Sequence, residues 1–323
     1  MSGAPQPAAL VVAAVDADDA AGLAAHLAIR NAVTPDNPDS PEQVRWEAAT
    51  YPGQVARFVA RLDGEPVGTA TTGRIWMHER SYDRYWLGIW VLPEARGRGV
   101  GTRLYGALSN AARAAGKTGF QTELSEAQVA GHRFLANRGF VEIDRTKAVR
   151  LDLAGLAAPT PIAPHGITLT TLAARPDLLP SVHRVAIEAF PDIPTGDAPV
   201  SVGTLDEFVA RDVTRIGVPH DAFVIGVDDS TGEAAGYASL IFAPGSMTLA
   251  QHDMTAVRPA FRGRGLGLTL KQASIAWAID HGLEALETGN DETNAPMRAV
   301  NARLGYRPVP DSVGLHGPLA PAG

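Results

Sequence analysis

Short stretches of alternating apolar and polar residues, separated by stretches with helical periodicity, recur along the whole chain. In the first half they predict a strand, two helices, three strands, a helix, a strand, a helix and a final pair of strands within "FVEIDRTKAVRLDL". An Asp-Gly pair between "ARFVARLDG" and "EPVGTATTGRIWM" is typical of a tight hairpin turn. The second half repeats this order from "GITLTTLAA" onward, so the pattern predicts the same set of elements twice.

The repetition extends to short motifs at a fixed separation. "RGRGVG" (residues 96–101) and "RGRGLG" (residues 262–267) stand 166 positions apart (262 minus 96), and "NRGF" and "RLGY" further on share that separation. Shared spacing of separate landmarks indicates a tandem duplication. Prolines and small residues between the copies predict a linker at 155–165, with one domain at 1–154 and a second at 166–323.

Length and composition limit the classes of protein that need considering. At 323 residues the chain is long enough for two such domains. Its net charge of −7 argues against a general nucleic-acid surface, and no apolar run approaches the roughly 20 residues of a membrane helix. There is no cysteine, and none of the nine histidines stands in an HxH or HxxxH pair, so we expect no metal site. Because the N-terminus lacks the features of a signal peptide, the expected location is the cytoplasm. We expect the protein to be a monomer or a homodimer.

Each glycine-rich run stands between an apolar strand and a helix. Backbone amides at a helix N-terminus have no partner within the helix, and the helix dipole attracts anions there. Alternate glycines let a phosphate approach the main chain without meeting a Cβ atom. Neither run ends in the Gly-Lys-Ser or Gly-Lys-Thr of a nucleoside-triphosphate loop, and neither has the GxGxxG spacing of a dinucleotide fold. The runs therefore predict two pyrophosphate-binding loops, to which the arginines add positive charge.

The segments "VLPEARGRGVG" and "VRPAFRGRGLG" resemble the coenzyme A signature of the GNAT N-acetyltransferases, and "TGNDETNAPMRAVNARLGY" is similar to the downstream motif of that family. The resemblance implies an α/β (α+β) fold with two tandem GNAT-like domains, each a mixed, mostly antiparallel, twisted sheet flanked by helices. It also implies that acetyl-CoA is the cofactor and that a primary amine of a small molecule attacks it directly.

Carried onto this sequence, the resemblance places the coenzyme pyrophosphate on the main chain of the loops and the pantetheine arm at the preceding strand ends, Val91 and Val257. The loop residues are Arg96, Gly97, Arg98, Gly99, Val100 and Gly101 in the first copy and Arg262, Gly263, Arg264, Gly265, Leu266 and Gly267 in the second. Asn294 is similar to the asparagine of the family that contacts the pantetheine arm. Asparagine is equally suited to cap the helix that follows, and the two roles are compatible.

Acetyl transfer to an amine needs a base, a stabilised oxyanion and a proton for the departing thiolate. In "LAQHDMTAV", Asp253 stands four residues before Val257, a region where members of the family often carry the group that accepts the amine proton. By strict alternation Asp253 and His252 fall on opposite faces of the strand. We expect Asp253 to be the base or to hold a cationic substrate, with His252 behind it; a solvated carboxylate and a packed histidine are the alternatives. The matching strand "RYWLGIWV" has neither group, so the chemistry is expected in the C-terminal half.

Three questions stay open at the level of sequence. The tyrosine that protonates the thiolate in many members of the family is replaced here by Leu135 in the first copy and Asn301 in the second. The alternative to an N-acetyltransferase is a non-catalytic module that binds or senses acyl-CoA. A further alternative is acetylation like that of mycothiol synthase, which the tandem arrangement also resembles. A cluster of acidic residues near the first helices of the second half suits a cationic acceptor but also a solvated face. These residues are Asp192, Asp197, Glu207 and Asp212.

Overall fold

The computed structural model describes residues 9–16, 18–51, 53–194, 198 and 200–322. The elements of the first half follow the predicted order. They are β1 (Leu10–Val15), α1 (Ala20–Val33), α2 (Pro41–Thr50), β2 (Val55–Leu62), β3 (Glu65–Arg74), β4 (Arg84–Val91), α3 (Val100–Ala114), β5 (Gly119–Ser125), α4 (Val129–Ala136) and β6 (Val141–Asp152).

The second half repeats the series and has two strands, instead of one, after its last helix. Its elements are β7 (Ile167–Thr171), α5 (Leu179–Ala189), α6 (Leu205–Phe208), β8 (Val224–Asp228), β9 (Ala234–Phe242), β10 (Leu249–Val257), α7 (Leu266–Asp280), β11 (Ala285–Asp291), α8 (Ala295–Arg303), β12 (Arg307–Pro308) and β13 (Ser312–Pro318). A short 3₁₀ turn precedes each glycine-rich loop, at Pro93–Ala95 and Pro259–Phe261.

Two local predictions have different outcomes. The hairpin between β2 and β3 is confirmed, with Asp63 and Gly64 both at positive φ (53° and 91°), as a tight two-residue turn requires. The predicted final strand pair of the first half is wrong, because residues 141–152 form one continuous strand, β6. This segment contains no glycine, proline or asparagine that would favour a turn.

The strands form a single sheet in the order β1-β2-β3-β4-β5-β13-β6-β11-β10-β9-β8-β7, and β12 pairs with β6 outside this path. The pairs β4–β5 and β10–β11 are parallel, and the other pairs of the described sheet are antiparallel. Helices α1 and α3 both contact strands of the first half, while α5 and α7 both contact β9 and β10. The predicted α/β class with mixed, mostly antiparallel sheets is thereby confirmed.

The two halves exchange strands at the centre of the sheet. The last strand of the chain, β13, lies between β5 and β6 of the first half. In return, residues 146–152 of β6 lie between β11 and the short β12 of the second half. The predicted domains, residues 1–154 and 166–323, remain a prediction about how the chain is divided. Strand pairing crosses this division in both directions. Within the linker, the carbonyl of Ile162 accepts a hydrogen bond from Thr269 Oγ1 of α7 (3.0 Å).

Candidate functional site

The two glycine-rich loops have nearly the same backbone geometry. In the first copy Gly97 and Gly99 have φ of 74° and 83°, and in the second Gly263 and Gly265 have φ of 73° and 87°. Side chains with a Cβ are strained in this left-handed region. A Cβ built at any of the four glycines would have no atom within 4 Å, so the space above each loop is open.

Each loop ends at a helix N-terminus without a side-chain cap. Gly99 and Gly265 are the N-cap residues of α3 and α7, and in neither helix does a described side chain accept from the first amides. Free amides, the helix dipole and open space above the glycines form a suitable cradle for the diphosphate of a coenzyme. The residues present therefore fit the predicted ligand in both copies.

The first arginine of each loop has a structural contact that sequence reasoning missed. Arg96 Nε donates to the carbonyl of Val91 (3.1 Å), and Arg262 Nε donates to the carbonyl of Val257 (3.0 Å). Both bonds fasten the loop to the end of the preceding strand. Arg262 also pairs with Asp192 (2.6 Å), which places a carboxylate beside the second loop.

The other acidic residues near the first helices of the second half are also paired. Glu207 completes a capping box with Thr204 and pairs with Arg80 at 3.3 Å. Asp212 pairs with Arg211 at 2.7 Å. Asp197 lies outside the described residues. The charge of these paired carboxylates is largely compensated, so they do not form a free acidic pocket.

The parallel strands of each half separate beyond a short paired section. β4 and β5 stay in register only from Arg84 to Trp86 of β4, and β10 and β11 only from Leu249 to Gln251 of β10. Beyond these points the strands are no longer paired, and a gap opens toward their carboxyl ends. Such a gap exposes main-chain groups to which an extended ligand arm can hydrogen-bond.

One cavity of about 1600 Å³ connects the two gaps across the exchanged strands. In the first half Val91 and most of the loop line it: Arg96, Gly97, Gly99, Val100 and Gly101. In the second half it is lined by His252, Asp253 and Asn294, whereas neither Val257 nor residues 262–267 line it. Asp144 of β6 and Gly314 of β13 form part of the wall between the two gaps.

Asp253 lies at a β-bulge of β10. The pairing with β9 shifts register between His252 and Met254, so Asp253 is the extra residue. The imidazole of His252 contacts Tyr306, which follows α8, with Nε2 2.7 Å from Tyr306 Oη. The carboxylate of Asp253 lies instead 3.5 Å from Arg215 Nη1. The two consecutive side chains thus have different surroundings, and the alternation pattern does not include the bulge itself.

The electrostatic surroundings of the two side chains differ as well. Burial raises the pKa of Asp253, and Arg215 partly opposes this effect. Burial, together with the charge of Lys271, lowers the pKa of His252 well below its usual value, so its imidazole is neutral. His252 Nδ1 has no hydrogen-bond partner among the described residues.

Asn294 does cap a helix. Its Oδ1 accepts from the amide of Met297 (3.3 Å) at the start of α8, and the residue also lines the cavity. Contact with a pantetheine arm stays a prediction, compatible with this capping bond.

Sequence reasoning missed Lys271 entirely. It lies on α7 with 1% of its surface exposed, lines the cavity, and has no carboxylate beside it among the described residues. The 166-residue offset aligns Lys271 with Tyr105 of the first copy, which is also buried, but the sequence alone does not indicate the burial of either residue.

Residues 25–140 and 184–306 each match the model of the acetyltransferase (GNAT) family, and together they make up more than half of the chain. The chain therefore belongs to this family, with two GNAT domains, and is an N-acetyltransferase. Among the described residues, no helix is long and apolar enough to cross a bilayer, and no group of three His, Cys, Asp or Glu side chains could hold a metal ion.

Similar proteins support the same classification. A mycothiol acetyltransferase of Tsukamurella paurometabola is 26% identical over 227 residues, which cover 67% of this chain and 72% of that protein. A tandem GNAT protein from the clavulanic acid biosynthesis pathway is 22% identical, covering 98% of this chain and 100% of its own, with a TM-score of 0.78. A GCN5-related N-acetyltransferase from Sphaerobacter thermophilus is 20% identical, covering 97% of both chains, with a TM-score of 0.70. These two structural similarities establish the fold alone.

Proposed function

We propose that the protein transfers the acetyl group of acetyl-CoA to a primary amine of a small molecule and that the C-terminal half performs the transfer. The observation that carries this proposal is the bulge at Asp253. It places an ionisable carboxylate on the cavity wall beside the gap between β10 and β11. The corresponding strand β4 carries no carboxylate or imidazole.

The cofactor would occupy the second half through main-chain groups. Residues 262–267 would hold its diphosphate, and Val257 and Asn294 would contact its pantetheine arm. Bound in this way, acetyl-CoA supplies an acetyl group activated as a thioester. A main-chain amide near Val257 would polarise the acetyl carbonyl by donating a hydrogen bond, which is how oxyanion stabilisation is usually achieved in acyl transfer.

Asp253 would accept the proton that the attacking amine loses. Its raised pKa brings the carboxylate closer to the proton affinity that general bases need near neutral pH. Arg215 opposes this rise and so favours the ionised form of the carboxylate. An ionised carboxylate on the wall also favours an acceptor that arrives as a cation.

The N-terminal half would bind the cofactor without transferring its acetyl group. Its loop lines the cavity and has the same glycine geometry, but its strand offers no base. The two loops therefore provide a matched pair of variants, Gly265→Glu and Gly99→Glu, each placing a carboxylate where the diphosphate would lie.

The test is release of coenzyme A thiol from acetyl-CoA with a panel of amines. The chain has no cysteine, so a thiol reagent detects only the product. Asp253→Asn and Gly265→Glu should abolish release, while Gly99→Glu and Asp280→Asn, an exposed carboxylate on α7, should retain it. Activity that survives Gly265→Glu but not Gly99→Glu would assign catalysis to the first half. Cofactor binding without release with any amine would identify a sensor instead.

A further inference from the structure

The departing thiolate needs a proton donor, and neither Leu135 nor Asn301 can supply a proton at the position where the family places its tyrosine. Lys271 is the strongest other candidate in the second half. Its side chain lies on the second turn of α7, is 1% exposed, and lines the cavity together with Thr288 and Asn290 of β11. The side chain therefore faces the gap where β10 and β11 separate.

Lys271 has no partner that would explain an ammonium group at this depth. No described residue forms a hydrogen bond or ion pair with it, and its Nζ lies 5.6 Å from the centroid of the Tyr306 ring. A buried ammonium without a counter-ion is costly, and such groups are usually retained for function.

The surroundings of Lys271 are polar and incompletely satisfied. His252 Nε2 lies 2.7 Å from Tyr306 Oη, which leaves Nδ1 without a partner among the described residues. Asn301 Nδ2 donates to Asn290 Oδ1 (2.6 Å), while its own Oδ1 is likewise without a described partner. Unsatisfied buried atoms of this kind are expected where a ligand or water completes the site.

The first half shows that the fold itself does not require these polar groups. The residues 166 positions before Lys271, Tyr306, Asn301 and His252 are Tyr105, Phe140, Leu135 and Trp86. Tyr105, Phe140 and Leu135 belong to one buried hydrophobic cluster. The hydroxyl of Tyr105 is satisfied by the carbonyl of Pro318. The second half thus has its polar cluster at positions that the first half fills with apolar and aromatic side chains.

We propose that Lys271 is the proton donor to the thiolate that leaves when the acetyl group is transferred, an inference that rests on the proposed function of the second half. The amine nitrogen forms a bond to the acetyl carbon, the carbon–sulfur bond breaks, and its electron pair remains on sulfur. The ammonium of Lys271 gives its proton to that sulfur, and Asp253 takes a proton from the amine. Asp253 then releases its proton to solvent, and Lys271 takes one up from solvent. The net change moves one proton from nitrogen to sulfur.

The titratable groups packed against Lys271 are His252 from β10 and Tyr306 after α8. Burial alone lowers the pKa of Lys271 to about 7. An ammonium in this range can donate to a thiolate, whose usual pKa is about 8.5. Burial raises the pKa of Tyr306 far above its usual value, so its hydroxyl does not compete as a donor.

The first experiment measures binding rather than turnover. In a Gly99→Glu host, which leaves only the second site, coenzyme A should bind about tenfold more tightly than desulfo-coenzyme A, because the ammonium of Lys271 forms a charge-assisted bond to sulfur. Tenfold corresponds to about 1.4 kcal/mol. Adding Lys271→Met should remove this preference. Binding of both ligands without a preference, or a preference that survives Lys271→Met, overturns the inference alone. Binding of neither ligand overturns the proposed function and the inference with it.

The second experiment separates proton donation from charge. Lys271→Met and Lys271→Arg should both lower kcat by about 10²–10⁴-fold, since arginine keeps the charge but does not release a proton near neutral pH. Tyr105→Phe, at the equivalent position of the first copy, should leave kcat at the wild-type value. Wild-type turnover by Lys271→Arg would contradict the inference, as would an acetyl group found on Lys271 by mass spectrometry. Unchanged far-ultraviolet circular dichroism establishes that each variant is folded.

Discussion

Replacing Lys271 by methionine should stabilise the protein by an amount that depends on pH. Burial lowers the pKa of this lysine from 10.5 to about 7 in the native state. Between these values the unfolded chain binds a proton that the native state does not, so the free energy of unfolding rises with pH across this window. Below pH 7 the lysine is protonated in both states, and the free-energy cost of burying its charge reaches its full size. At 1.36 kcal/mol for each pKa unit this is about 5 kcal/mol.

The destabilisation caused by Lys271 can be compared at two pH values that both lie above the range in which histidine titrates. The penalty that Lys271 imposes is about 4 kcal/mol at pH 7.5 and about 1.4 kcal/mol at pH 9.5. Methionine has a similar length and no charge, so its own contribution to packing is the same at both. We call the difference in free energy of unfolding between Lys271→Met and the wild type the stability margin of the variant. This margin should shrink by about 2.5 kcal/mol between pH 7.5 and 9.5.

The assay is urea unfolding followed by tryptophan fluorescence at both pH values. Lys147→Met is the matched control, because solvent reaches this ammonium group, which pairs with Asp311 at 2.6 Å. It should show no comparable change in margin. If the margin of Lys271→Met were equal at both pH values, Lys271 would keep the same charge in the folded and unfolded chains, and the reasoning would fail.

Three further changes test other contacts of the second half. Arg215→Met removes the charge that lowers the raised pKa of Asp253, so the acidic limb of the pH–kcat/KM profile should move to higher pH; an unmoved limb would exclude Asp253 as the base. Tyr306→Phe leaves a buried imidazole nitrogen unpaired and should lower the free energy of unfolding in urea by about 1–3 kcal/mol. An unchanged free energy of unfolding would show that this hydrogen bond does not stabilise the fold. Asp192→Asn frees the guanidinium of Arg262 and should tighten acetyl-CoA binding by calorimetry, most clearly at low salt; weaker binding would argue against an anion cradle there.

The parts of the site that could be predicted from sequence are those set by local backbone chemistry. The sequence predicts that the glycines at 97, 99, 263 and 265 let a phosphate approach the main chain, and their positive φ angles and open surroundings fit that prediction. The Asp63-Gly64 turn is another local feature, because the two residues that adopt positive φ determine it. Loops and turns of this kind depend on few distant contacts.

The parts that could not be predicted depend on distant pairing or on burial. Nothing in residues 312–318 indicates that they lie between β5 and β6, because strand order is decided by partners far away in the chain. The bulge at Asp253 depends on its register with β9 in the same way. Lys271 resembles an ordinary solvent-facing lysine until its helix is packed, and only then is its amine found to be buried.

The exchange of β13 and β6 has a consequence for biosynthesis. Ser312 lies 187 positions after Ser125 (312 minus 125), so the edge of β5 emerges from the ribosome long before its neighbour exists. Until then that edge can pair with a strand of another nascent chain. A gene divided at the linker would accordingly encode two polypeptides that each lack a strand, and activity would return only when both are present as a heterodimer.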